Sequence, residues 1–133
     1  MISKFNVDDI FDEKFVISGE VIRDFVKSSN DRNPLHTDDT FAIEKGFKRS
    51  VVHGNLQNCF ISYFVGECLP LKDVMILSQT INFKKPVYIN DRLNLRVKII
   101  GIFESVNLIE FDFNFINQLG EIISKGIIKI KLI

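Results

Sequence analysis

The chain has 133 residues, 46% of them hydrophobic, and its 17 Lys+Arg balance its 17 Asp+Glu. A folded monomer of that length leaves about 7,100 Å² exposed out of ~22,000 Å² unfolded, which suffices for one core and not for two, so a single domain over residues 1–133 is expected. Balanced charge without a long block of one sign lacks the electrostatic footprint of a nucleic-acid binder, and no window approaches about 18 uninterrupted apolar residues, which argues against a membrane span.

The N-terminal residues Met1 to Asp9 carry no signal-peptide core, so a soluble, cytoplasmic protein is expected. The first element is a short strand near Phe15-Val16-Ile17. Ser18 then stands as the N-cap of a helix that carries Ile22, Phe25 and Val26 at helical spacing up to Lys27. A loop containing Asn33-Pro34 follows, and Thr37 or Asp38 caps a short helix through Phe41 and Ile43 that Gly46 ends. The longest helical pattern starts at Gly54: Leu56, Phe60, Tyr63 and Phe64 form a stripe that Ile61, Val65 and Cys68 widen until Leu69-Pro70. Cys59 and Cys68 lie on this helix, ~13.5 Å apart along its axis, too far for a disulfide, and free thiols fit a reducing compartment. Neither of the two histidines stands at ligand spacing from a cysteine, so no metal is expected.

Period two governs the C-terminal half. Val74 to Lys84 reads as a strand stopped by Pro86; Leu93, Leu95, Val97 and Ile99 alternate with Asn94, Arg96 and Lys98; Ile109, Phe111, Phe113 and Phe115 alternate with Glu110, Asp112 and Asn114. A last run, Ile127 to Ile133, puts Lys129 and Lys131 on one face. Breaks at Asn90-Asp91, Ser105 to Asn107 and Gln118-Leu119-Gly120 lie where an antiparallel meander turns. A helix apolar over most of its circumference needs enclosure, and the simplest enclosure is this sheet curved around it. That is an α+β chain of hot-dog architecture, with the helical and loop segments of the N-terminal half as an overhang.

Two sets of polar residues fit no core. Asn55, Asn58 and Ser62 stand at i, i+3 and i+7 on the central helix and share a face, which either meets water or a subunit neighbour or lines a ligand tunnel. The stretch Ser28 to Asp38 places Asp31, Asn33 and His36 within six positions. Such residues are ordinary turn formers, but a loop can also fold all three side chains toward one point.

The string Ser29-Asn30-Asp31-Arg32-Asn33-Pro34-Leu35-His36-Thr37-Asp38, then Phe41-Ala42, then Val51-Val52-His53-Gly54, closely resembles the signature of MaoC-like (R)-specific enoyl-CoA hydratases. Leu77 to Val87 followed by Asn90-Asp91 is similar to that family's strand and turn, and the resemblance runs from about Phe15 to the C-terminus. It implies that Asp31 and His36 hold and activate the water or proton that adds across an enoyl double bond, that Asn33 orders this pair, and that Gly54 supplies the backbone N–H that polarises the thioester carbonyl. A helix start agrees with the last role, since its amides lack internal partners and its dipole favours developing negative charge. His53, Asn55, Asn58 and Ser62 become the candidates for substrate contact, and Asn55 and Asn58 point to a short or oxygenated acyl group. Asn30 stands where the family carries glycine, and asparagine tolerates a left-handed backbone.

The reaction implied is reversible hydration of a trans-2-enoyl thioester to an (R)-3-hydroxyacyl thioester, with CoA or phosphopantetheine as part of the substrate and no separate cofactor. Lys45, Lys48 and Arg49, or Lys84 and Lys85, are either plain solubilising charge or contacts for CoA phosphates or an acidic acyl carrier protein. A hot-dog thioesterase and a non-catalytic acyl-thioester-binding subunit are the alternatives; the Asp-x-Asn-Pro-Leu-His string argues against the first, and the joint presence of Asp31, His36 and Gly54 against the second. The resemblance also implies a homodimer paired edge to edge, for which free strand edges supply a motive.

Overall fold

Alternation at period two presents one face of a strand to a core and the other to water, and that pattern builds the sheet. The computed structural model describes residues 2–133 and contains five antiparallel strands: β1 (Ile10–Val16), β2 (Val74–Phe83), β3 (Arg92–Phe103), β4 (Leu108–Ile116) and β5 (Ile122–Leu132). Their spatial order is β1-β3-β4-β5-β2. Leu95, Val97 and Ile99 of β3 lie opposite Phe115, Phe113 and Phe111 of β4, and all six are buried. On β5, Ser124, Ile128 and Ile130 continue this inner surface, with Gly126 between them.

Helices α1 (Gly19–Ser29), α2 (Pro34–Thr37) and α3 (Asp39–Glu44) come between β1 and the central helix α4 (Leu56–Tyr63), which runs on through a π-helical stretch, Phe64–Cys68. Helix starts follow from side-chain caps: Ser18 accepts from the Val21 N–H at 3.1 Å, Asn33 from Leu35 at 2.9 Å and Asp38 from Phe41 at 3.3 Å. Asn30 closes α1 with φ 58°, the left-handed conformation its amide side chain tolerates. Leu56, Gln57, Ile61, Phe64 and Val65 are buried against the sheet, and Phe64 meets Phe11 and Phe111 edge to face at 5.7 and 6.2 Å between centroids.

Three expectations need correction. The first strand begins at Ile10, not near Phe15, because pairing with β3 recruits a segment too charged to read as a strand: Asp12 accepts from the Arg96 guanidinium at 3.0 and 3.1 Å, which holds its carboxyl below the usual range. Pro34 to Thr37 forms a helical turn instead of a loop, since Asn33 supplies the cap and proline suits the first helical position. The central helix is not enclosed all round: Asn55, Cys59, Ser62, Tyr63 and Gly66 form an exposed stripe. Among the described residues no helix is long and apolar enough to cross a membrane.

The sheet tolerates no side chain at Gly126, where a Cβ would fall on the Thr80 carbonyl oxygen and against the Phe113 ring. Gly126→Ala is expected to cost about 4 kcal/mol or more, read as a lowered urea midpoint; an unchanged midpoint would mean that β5 shifts freely. The cysteines should also separate chemically. Burial, with the Glu13 carboxylate nearby, pushes the Cys68 thiol up to about 11, whereas Cys59 is exposed. An aromatic disulfide reagent at pH 8 should label Cys59 first and Cys68 mainly on unfolding; equal rates would contradict this assignment.

Candidate active site

Short-range bonds shape the loop after α1. The Asp31 N–H donates to Ser29 Oγ at 3.1 Å, the Asn33 N–H to Asp31 Oδ1 at 3.1 Å, and Asn33 Oδ1 caps α2. Asn33 therefore orders both groups of interest: its amide holds one oxygen of Asp31, and its side chain starts the helical turn that carries His36.

A second segment, the approach to α4, closes on this loop. The Val51 N–H donates to the Leu35 carbonyl at 3.0 Å, and His36 Nδ1 donates to the Val51 carbonyl at 2.6 Å. His53 Nε2 donates to the Asp31 carbonyl at 2.9 Å. The Ser50 hydroxyl and amide both reach Asp39 Oδ1, at 2.7 and 2.8 Å, and hold that carboxyl below its usual range. The two imidazoles stack, with centroids 4.0 Å apart and planes 26° off parallel, and Phe25 backs His53 at 5.0 Å.

A carbonyl oxygen can only accept, so the bond to Val51 places the proton of neutral His36 on Nδ1 and leaves a lone pair on Nε2. That nitrogen lies 3.8 Å from Asp31 Oδ2, beyond direct hydrogen bonding but close enough for one oxygen atom to bond both. Asp31, His36 and His53 could also present ligand atoms within 4.8 Å of one another. The hydrogen bond of His53 Nε2 to the Asp31 carbonyl makes that ring a support behind the loop, while Asp31 and His36 face one another.

Gly54 lies at the start of α4. Among the described residues its N–H has no acceptor, and a Cβ there would come within 2.9 Å of the Phe83 ring, so glycine is what lets the backbone sit against β2. A cavity of about 410 Å³ opens beside it, lined by His36, Val52, Gly54, Asn55, Gln57 and Phe83 among others. Asp31 and His36 thus face one another, and His36 and Gly54 line one cavity, whose lining does not include Asp31.

The remaining candidates divide. Asn55 lines the cavity and accepts from Asn58 at 3.0 Å. Asn58 also accepts from Gln79 at 2.8 Å, which draws it toward β2, and Ser62 lies on the exposed stripe; neither lines this cavity. His53, expected to touch substrate, is 3% exposed and supports Asp31 from behind. Gln57 was missed because it sits beside Leu56 on the apolar arc; the signal was a carboxamide at a helix position that packing buries.

Comparison with known proteins places the chain in a family. Residues 10–116 match the model of the MaoC like domain family. The chain is 32% identical over 108 residues to the (R)-specific enoyl-CoA hydratase of Aeromonas caviae, with 81% of each chain covered. It is 34% identical over 101 residues to a mitochondrial 3-hydroxyacyl-[acyl-carrier-protein] dehydratase of Arabidopsis thaliana, covering 76% of this chain and 60% of that one. The solved A. caviae (R)-hydratase superposes with TM-score 0.89 at 28% identity, covering 97% of this chain and 98% of that one. The unliganded R-hydratase PhaJ1 of Pseudomonas aeruginosa gives TM-score 0.89 at 26% identity, covering 98% and 84%. The sheet around α4 is therefore a hot-dog fold, and the chain belongs to the MaoC-like domain family.

Proposed function

We propose that this protein reversibly adds water across the double bond of a trans-2-enoyl thioester to give the (R)-3-hydroxyacyl thioester. The observation that carries the reading is the 3.8 Å pairing of His36 Nε2 with Asp31 Oδ2, with His36 lining the same cavity as Gly54. A water ~2.8 Å from each would donate one hydrogen to the carboxylate and the other to the imidazole. As its oxygen bonds to C3, one O–H bond breaks and the proton passes to the pair. The alkene electrons move toward C2 and the thioester carbonyl oxygen, whose charge the Gly54 N–H and the start of α4 stabilise. The held proton then bonds to C2 from the same face, giving syn addition; dehydration is the reverse.

The reading calls for no resident cofactor, because the CoA or phosphopantetheine arm belongs to the substrate. The similar proteins act on CoA and on acyl-carrier-protein thioesters by their names, and Lys84 and Lys85 at the cavity's exposed side suit a phosphate of either carrier. A cytoplasmic location is supported by two free cysteines.

The reading includes a homodimer joined along β2. That edge strand exposes Met75, Leu77 and Phe83, a template for pairing with a second copy. The chain exposes 7666 Å², more than the about 7,100 Å² typical of a monomer this size. Sedimentation should give twice the chain mass; a monomer at micromolar concentration would remove this element.

The chemistry is tested with crotonyl-CoA, following conjugated-alkene absorbance and free thiol together. Alkene loss without thiol release is expected, and Asp31→Ala and His36→Ala should each lower kcat at least about 100-fold with circular dichroism unchanged. Near-normal turnover in either variant would take that residue out of the mechanism. Thiol release would indicate a thioesterase, and inactivity toward both CoA and carrier-protein substrates a binding subunit.

A further inference from the structure

We infer that Gln57 selects the acyl group: its side-chain amide donates a hydrogen bond to an oxygen on the acyl chain beyond the reacting carbons, favouring short or oxygenated enoyl thioesters over plain medium-length alkyl ones. This rests on the hydration reading above.

Gln57 is 3% exposed on a helix face otherwise made of Leu56, Ile61, Phe64 and Val65, and Ser124 opposite it is fully buried. The Ser124 hydroxyl donates to Gln57 Oε1 at 2.5 Å. That bond occupies the carboxamide oxygen and leaves the NH2 group, which has no acceptor among the described residues. The sealed polar side-chain atoms without a partner are, among the described residues, His53 Nδ1, Asn94 Oδ1 and Asn114 Oδ1. The Gln57 nitrogen is not one of them, because Gln57 lines the same cavity as His36 and Gly54.

Position along the cavity decides which part of the substrate it meets. The charged carrier must leave toward solvent past the exposed Lys84, Lys85 and Pro86, whereas Gln57 is buried in the cavity wall. It stands three residues from Gly54, the equivalent of ~4.5 Å of helical rise. With the thioester carbonyl held at Gly54, the amide faces the carbons just past C3. A methylene chain there would strip water from a buried donor and leave it unpaired, a cost that an acyl oxygen removes and that a crotonyl group avoids by leaving room for water.

The test compares kcat/KM for crotonyl-CoA, trans-2-hexenoyl-CoA, trans-2-octenoyl-CoA and 5-hydroxy-trans-2-hexenoyl-CoA. The unaltered protein should prefer the hydroxylated C6 ester to the plain one by about tenfold or more, and Gln57→Leu with Ser124→Ala should reverse that order and raise the octenoyl-to-crotonyl ratio by about tenfold. A merely structural role for the pair would move all four esters together. No preference for the hydroxylated ester, or ratios unmoved in the double variant, would overturn the inference while crotonyl-CoA turnover upheld the hydration reading. Such a result would fit an alkyl chain seated instead in the second hollow, about 400 Å³, between Phe25, Leu56 and Phe60. If the double variant does not fold, the comparison of the two C6 esters on the unaltered protein decides alone; inactivity on all four esters overturns both readings.

Discussion

Two imidazole-to-carbonyl hydrogen bonds hold Asp31 and His36 in one place. His53 ties the carbonyl of Asp31, and His36 ties the carbonyl of Val51, so the loop after α1 and the approach to α4 are laced together from both sides. Each bond spends one ring nitrogen on backbone. For His36 that choice turns Nε2, with its lone pair, toward Asp31; for His53 it makes the ring a support. Stacking the two rings, with Phe25 behind, restricts both further, so the pair is arranged before any substrate arrives.

The lacing works because the core seats α4. Leu56, Ile61 and Phe64 pack on the inner faces of β3 to β5, which fixes where the helix begins, and the Val52 N–H donates to the Val87 carbonyl at 2.8 Å, which ties the preceding residues to the segment after β2. Gly54 then lies against Phe83 with its amide unpaired, where the start of a helix already favours negative charge. Burial of apolar area and an unpaired amide at the mouth of a helix are in this way consequences of one packing arrangement.

Local rules made much of this legible. Strict alternation marked β3 and β4 because one face of each is buried and the other wet. Ser18, Asn33 and Asp38 were readable as turn or cap residues because their oxygens reach amides only two or three positions away. Asp31, His36 and Gly54 were legible through a motif of many fixed positions. What escaped depended on partners distant in the chain. Asp12, Glu13 and Lys14 look like a loop until Arg96 and Asn94 lie opposite, and Asn58 looks like a tunnel wall until Gln79 claims it from a neighbouring strand.

Helical periodicity shows that Asn55, Asn58 and Ser62 share a face but not what that face meets, whereas Gln57, one position from Leu56, is pulled inward by a serine 67 residues away. The sequence by itself determined the class of fold, the Ser18 cap and the candidates for the reacting groups, since propensity, period and motif spacing are properties of neighbouring residues. Only the tertiary structure decided which imidazole nitrogen stays free, that His53 is a support, and that Gln57 rather than Ser62 reaches the cavity. Those outcomes depend on contacts between segments far apart in the chain, and such contacts exist only once α4 is packed on the sheet.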